Sequence, residues 1–257
     1  MTGDEPPPDL ATTIVTLDNG VRMHTVSALD ARFLSREIFD FDGYGDLDLP
    51  EAPFVVDAGA NIGMFMLKVK MSRKSATILA FEPMPALAET VRRNIELHSY
   101  EDVTLHQVAL GEEPREGAEF TYYPLLPSSS TRYPAIQENL RVSMERTFPS
   151  RVLDRMYKGH KVTVDIVRLS DYLPDDRRID LMKVDTSGSE LEVLSGIDAR
   201  HWPLIQRMIL DVHDRDGRVA AVSEALRQRG MQVRVRPAPM AEGDGLNFLI
   251  HAEREGA

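Results

Sequence analysis

VVDAGANIGMF, residues 55–65, sets an acidic residue and two glycines directly after a short apolar run and directly before a helix-like segment. Glycine has no Cβ, so Gly59 and Gly63 let the backbone turn sharply and come close to a ligand. Asp57 closes the apolar run as the end of a strand. A helix starting near Ile62 would aim its free N–H groups and positive dipole end into the same crevice. Strand, glycine loop and helix in that order make a nucleotide-type pocket and predict an α/β chain.

The next apolar run strengthens that reading, because LAFEP places Glu82 at the end of a second strand, where a carboxylate can accept both hydrogen bonds of a ribose diol. Two kinds of cofactor suit such a crevice. A dinucleotide usually takes Gly-x-Gly-x-x-Gly with no carboxylate pushed toward its pyrophosphate. Here the loop runs Asp57-Ala-Gly-Ala-Asn-Ile-Gly, one glycine short and with an aspartate beside it. That arrangement suits the positively charged methionine end of S-adenosylmethionine.

Around this loop, β-rich runs at Phe54–Asp57, Thr77–Phe81, Val103–Val108, Asp180–Val184 and Arg207–Val212 alternate with helix-period segments, the pattern of a mainly parallel sheet flanked by helices. Ile62–Met71 reads as a helix. Met84, Leu87, Ala88, Val91 and Ile95 form an apolar stripe at helical spacing, as do Leu191, Leu194 and Ile197, and then Val219, Val222 and Leu226. At the end, MQVRVRP and LNFLIHA flank a polar turn with Gly243 and Gly245, which predicts an antiparallel pair. The segment 120–161 interrupts the alternation. Its TYYPLLPSSSTRYP and a charged helix-like stretch, Ala135–Tyr157, read as an insertion forming a lid or substrate wall.

Residues 1–48 read as an N-terminal arm: a disordered first ten residues, a short hairpin from Thr12 to Arg22 around Asn19-Gly20, a helix over Ala28–Phe39 and an acidic loop to Leu49. Residues 49–257 form the main domain. At 257 residues and 42% hydrophobic content the chain supports one substantial core. Its 30 basic and 41 acidic residues leave a net charge of −11, which repels nucleic acid. Arg227, Arg229, Arg234 and Arg236 read as a solvated helix face and strand edge. There is no cysteine, so disulfides and thiolate metal sites are excluded. The acidic, proline-rich start is unlike a signal peptide, and no run approaches the ~18 apolar residues of a membrane span. A soluble cytoplasmic protein, with no membrane partner, is expected.

The motifs VVDAGANIGMF, AFEPMPALAETVRRNIELH, VALGE, FTYYPLLPSSS, IDLMKVDTSGSELEVLSGID and WPLIQRMILDVHD, in that order across roughly residues 37–251, resemble the FkbM family of S-adenosylmethionine-dependent methyltransferases, particularly members from bacterial natural-product pathways beside polyketide and peptide synthetases. The resemblance implies the class I methyltransferase fold: α/β and Rossmann-like, a seven-stranded sheet with an antiparallel final strand, flanked by helices. It implies S-adenosyl-L-methionine as cofactor and S-adenosyl-L-homocysteine as product. Asp57, Gly59, Asn61 and Gly63 would hold the methionine part and Glu82 the ribose, with Phe81, Pro83, Val108 and Ala109 near the adenine.

For the chemistry, Asp185 at the end of MKVD and His213 at the end of the fifth strand stand where the sheet's edge places ligands. Asp185 is read as positioning group and His213, with its near-neutral pKa, as general base. The chain departs from the family's Lys-Ile-Asp-Val-Glu-Gly-x-Glu pattern: Ser187 stands for the first glutamate, and Asp211 for a glutamate near the fifth strand's end. Glu190 is retained and would interact with a helix dipole. Asp185, Asp211 and His213 could supply metal ligands, but no compact ligand motif occurs and no metal is expected. The expected activity is O-methylation of a hydroxyl on a small natural product or its carrier-bound precursor, compatible with a homo-oligomer. N-methylation of a peptide-derived metabolite, or a cofactor-binding but inactive pathway partner, stays open.

Overall fold

The apolar runs assemble side by side in a computed structural model that describes residues 12–41, 43–45, 47–145, 148–239 and 247–256. The first ten residues and the turn containing Gly243 and Gly245 lie outside the described residues. In chain order the N-terminal segment, read above as an arm, carries β1 (Thr13–Thr16), β2 (Arg22–Thr25) and α1 (Ala28–Ser35), the last widening into a π-helical turn at Arg36–Asp40. Then come β3 (Phe54–Ala58), α2 (Met64–Ser72), β4 (Thr77–Phe81), α3 (Pro85–His98), β5 (Val103–His106), β6 (Ala109–Leu110) and β7 (Arg115–Tyr122). After α4 (Pro134–Met144) and α5 (Ser150–Met156) follow β8 (His160–Val167), β9 (Leu181–Val184), α6 (Glu190–Ser195), β10 (Arg207–His213), α7 (Arg218–Gln228), β11 (Gln232–Pro237) and β12 (Asn247–Glu253).

Seven strands form one sheet in the order β11-β12-β10-β9-β3-β4-β5. The strands from β10 to β5 run parallel, while β12 is antiparallel to both β10 and β11 and wedges between them. The chain winds from β3 toward β5 and later from β9 toward β10. The order reverses between β3 and β9, and the crevice beyond their C-terminal ends is where such sheets bind ligands. Every residue of β3 is buried, as a central parallel strand covered on both faces requires.

Alternate residues of each strand feed two cores. Val55, Ile78, Ala80, Leu181 and Ile209 pack with Phe65, Leu67 and Val91 of α2 and α3, joined by the arm's Met23, Ala31, Ile38 and Tyr44. Val56, Ala58, Leu79, Met182 and Leu210 pack with Val193, Trp202, Val222 and Leu226 on the other face. Buried Asn94 of α3 joins the arm to the sheet: its Oδ1 accepts from His24 N at 2.6 Å, and its Nδ2 donates to the carbonyls of His24 and Ile62 at 3.1 and 2.9 Å.

Three local features differ from the sequence expectations. The third strand stops at His106, and Ala109 already belongs to a separate three-stranded sheet, β6-β8-β7. The stretch Ala135–Tyr157 is two helices, not one, because Pro149 offers no N–H to continue α4 and instead precedes the first turn of α5. The helix after the glycine loop begins at Met64 rather than near Ile62, with Gly63 as its N-cap at φ 84°. Among the described residues no helix is long and apolar enough to cross a membrane.

Candidate active site

The glycine loop is held by backbone partners on the neighbouring strands. Gly59 N and Ala60 N both donate to the Phe81 carbonyl, at 3.0 and 2.9 Å. At φ 87° Gly59 is left-handed, and a Cβ there would stand 1.8 Å from the Asp185 carbonyl oxygen. Its glycine is therefore demanded by the close approach of the β3 and β9 ends, whether or not a ligand is bound. Asn61, at φ 53°, takes a conformation asparagine tolerates better than most residues.

Glu82 ties the two βα loops together. Its Oε2 accepts from Asn61 N at 2.7 Å and its Oε1 from Met84 N at 2.9 Å. Burial pushes its carboxyl up to about 7 despite both N–H donors. With one N–H donor on each, both oxygens of the ionised carboxylate have lone-pair capacity left, and Glu82 lines the cavity described below.

Below the loop lies Lys183, a buried lysine inside an apolar strand, which sequence reasoning missed as a functional residue. Its ammonium donates to the Gly59 carbonyl and stands 3.2 Å from Asp57 Oδ1 and 3.7 Å from Asp185 Oδ2. Burial disfavours its charge, but Asp57 and Asp185 outweigh that and hold its pKa above the ordinary lysine value. Burial likewise pushes Asp57 up, opposed by Lys183. The signal in the sequence was the lysine itself, in the otherwise apolar LMKV.

A cavity of about 560 Å³ opens above these groups. Of the residues expected to hold cofactor, Gly59, Asn61, Phe81, Glu82, Pro83, Val108 and Ala109 line it. Asp57, fully buried, and Gly63, whose added Cβ would meet Met66 and Val91, lie behind the wall instead of on it. Asp185 and His213 also line the cavity, together with Glu37 and Asp211.

That second wall is crowded with carboxylates. The Tyr44 hydroxyl donates to Asp185 Oδ2 at 3.0 Å. Burial, then the charges of Asp185, Glu37 and Glu190, push Asp211 well above the usual carboxylate range against a hydrogen bond from Asn247. Burial and Asp185 push Glu37 up to about 7. The retained Glu190 organises its own loop: its Oε1 accepts from Gly188 N at 2.8 Å and from Thr186 N and Oγ1, each at 3.2 Å. Glu37 and Tyr44 come from the arm and were not singled out from sequence, because nothing local pairs residues so far from β9. Among the described residues no three acidic or histidine side chains are grouped to hold one metal ion.

The segment between β7 and β8 lines the cavity with Leu126–Ser130, Gln137, Met144, Phe148, Met156 and Tyr157, as do Leu29 and Phe33 of α1. Asp30 of α1 grips it, accepting from Ser128 Oγ at 2.7 Å and Ser128 N at 3.2 Å. On the far side Thr131 Oγ1 donates to the Ser187 carbonyl at 2.7 Å, and the Tyr133 hydroxyl donates to Glu192 Oε1 at 3.2 Å. Arg218 clamps the same carboxylate through both nitrogens, at 2.6 and 2.9 Å.

Sheet order, reversed final strand and a cavity at the β3/β9 switch point define a class I methyltransferase-type protein. The methyltransferase FkbM domain matches residues 57–233. Methyltransferase 1 of Beauveria bassiana is 38% identical over 243 residues, covering 93% of this chain and 96% of that protein. The 31-O-demethyl-FK506 methyltransferase FkbM of Streptomyces tacrolimicus is 32% identical over 253 residues, covering 93% and 96%. The crystal structure of methyltransferase FkbM from Methylobacillus flagellatus KT shares the fold with a TM-score of 0.53 at 16% identity, over 79% of this chain and 44% of that one. The chain belongs to the FkbM methyltransferase family and is a methyltransferase of that type. The family implies S-adenosylmethionine as methyl donor.

Proposed function

We propose that the protein transfers a methyl group from S-adenosylmethionine to a hydroxyl of a small natural product or its carrier-bound precursor. The observation that carries this reading is one continuous cavity whose first wall bears Gly59, Asn61 and Glu82 and whose second bears Asp185, Asp211 and His213. The first wall fits the donor: Glu82 lines the cavity with acceptor capacity left on both oxygens for a ribose diol, and the buried Asn61 Oδ1 has no hydrogen-bond partner among the described residues. Phe81, Pro83, Val108 and Ala109 offer an apolar slot for the adenine.

Bound S-adenosylmethionine would supply a methyl group on a sulfonium leaving group. What remains for the chain's own residues is alignment, which lowers barriers by roughly 7–11 kcal/mol in the best model systems, and removal of the hydroxyl proton. Asp185, fixed by Tyr44 and Lys183, orients the acceptor, and His213 is one of the titratable groups beside it. A wall of carboxylates suits proton removal from a hydroxyl, whereas an amine with a free lone pair has no need of one. Incubation with methyl-labelled S-adenosylmethionine and a panel of 31-O-demethyl-FK506, small secondary alcohols and the matching amines tests the reading. Label is expected in alcohols; label confined to amines would favour N-methylation, and binding without transfer an inactive partner.

A further inference from the structure

The second wall holds one carboxylate that the fold itself does not employ. Asp185 is engaged by Tyr44 and Lys183, and Asp211 by Asn247. Glu37 lines the same cavity, half-buried, and its carboxylate makes no hydrogen bond or ion pair among the described residues.

Its placement is nevertheless tightly built. Glu37 sits in the π-helical turn Arg36–Asp40, a widened turn of the kind that recurs at functional sites. Its carbonyl accepts from Gly43 N at 2.8 Å, and a Cβ on Gly43 would stand 2.7 Å from that same oxygen. The residue after Gly43, Tyr44, carries the hydroxyl that holds Asp185. One loop of the arm thus sets both the free carboxylate and the partner of the fixed one.

We propose that Glu37 is the general base that removes the proton from the acceptor hydroxyl, the role that the sequence reading gave to His213. This assignment rests on the O-methyltransferase reading. The proton passes from the acceptor O–H to the Glu37 carboxylate while an oxygen lone pair forms the new C–O bond and the C–S pair goes to sulfur. The charged and titratable groups around Glu37 suit proton removal, since burial and Asp185 raise it to about 7, Lys183 opposes, and Asp30 adds to the rise. Tyr44 and Asp211 face it as well. A base with a pKa near the working pH is the effective kind.

The test uses full-length protein with ¹³C-labelled glutamate carboxyls, titrated by NMR and assigned by comparison with Glu37→Gln. Glu37 is expected to titrate near pH 7 and to fall toward the ordinary range in Asp185→Asn; a wild-type midpoint between 4 and 5 would overturn the proposal. With 4-tert-butylcyclohexanol as probe, Glu37→Gln is expected to lower kcat at pH 8 by roughly 100- to 10,000-fold, more than His213→Asn does, while S-adenosylhomocysteine still binds. The reverse order of the two variants would return the role to His213. Failure of wild type to bind S-adenosylhomocysteine would instead strike at the donor site and leave the Glu37 midpoint to be judged separately.

Discussion

The two walls of the cavity solve opposite problems. On the donor wall every charge has a partner in the backbone or in Lys183: Glu82 takes two N–H groups, and Lys183 answers Asp57 beneath the loop. On the acceptor wall Glu37, Asp185 and Asp211 crowd together, and among the described residues the cation in ion-pair contact with any of them is Lys183, 3.7 Å from Asp185. The donor wall is therefore a preformed cradle. The acceptor wall is electrostatically tense: Glu37 and Asp211 sit above the ordinary carboxyl range, ready to hold or exchange protons.

Lys183 serves both walls, so its removal is expected to have the largest effect. Lys183→Met leaves Asp57 buried without its cation, and a loss of about 3–5 kcal/mol in urea unfolding is expected. A loss under about 1 kcal/mol would mean that Asp57 is neutral and the pair is not holding the loop. Next in size is Gly59→Ala, which drives a methyl group toward the Asp185 carbonyl in a left-handed conformation. Backbone strain of this kind costs about 1–3 kcal/mol, visible as a lowered melting temperature without any ligand; an unchanged melting temperature would show that β3 and β9 can part freely.

In one respect the walls are alike, and pH reveals it, because each holds a carboxyl that burial raises. Glu37 and Glu82 have ordinary values of 4.5 and folded values of about 7. The folded state therefore holds protons that the unfolded chain has released, so their contribution to stability is fully present below pH 4.5 and is lost as pH rises through 7. Unfolding free energy measured in steps over that window should show this downward contribution, and Glu82→Gln should remove its share. An identical slope in the variant would contradict the buried, proton-holding state of Glu82. The smallest effect is expected between β7 and β8: Tyr133→Phe removes one hydrogen bond to Glu192, about 0.5–1.5 kcal/mol. Hydrogen exchange should quicken in α4 and not in β3; equal protection in both proteins would show that the Thr131 bond to the Ser187 carbonyl holds the start of α4 without the Tyr133 hydroxyl.

The donor wall was legible in sequence because its parts are local. Asp57, Gly59 and Asn61 fall in one loop, Glu82 ends the next strand, and parallel pairing of β3 with β4 brings them together. The antiparallel end of the sheet was legible for the same reason, since MQVRVRP and LNFLIHA adjoin in sequence, although the insertion of β12 between β10 and β11 was not. The acceptor wall draws on positions 37, 44, 185, 211, 213 and 247, which only the folded sheet and the docking of the arm bring together. The Asp30–Ser128 grip is equally nonlocal. Lys183 and Pro149 were different: a lysine within a buried strand and a proline within a helical stretch are signals a single sequence does carry.

Both walls have their meaning only if the crevice over Gly59, Asn61 and Glu82 binds the methyl donor. The decisive experiment is calorimetric titration of the wild-type protein with S-adenosylhomocysteine and, separately, with NAD, repeated on Glu82→Ala. Binding of S-adenosylhomocysteine without NAD, weakened at least about 10-fold in the variant as expected for a lost charged hydrogen-bond acceptor, is the predicted result. Binding of NAD alone, or S-adenosylhomocysteine binding that ignores Glu82, would contradict it.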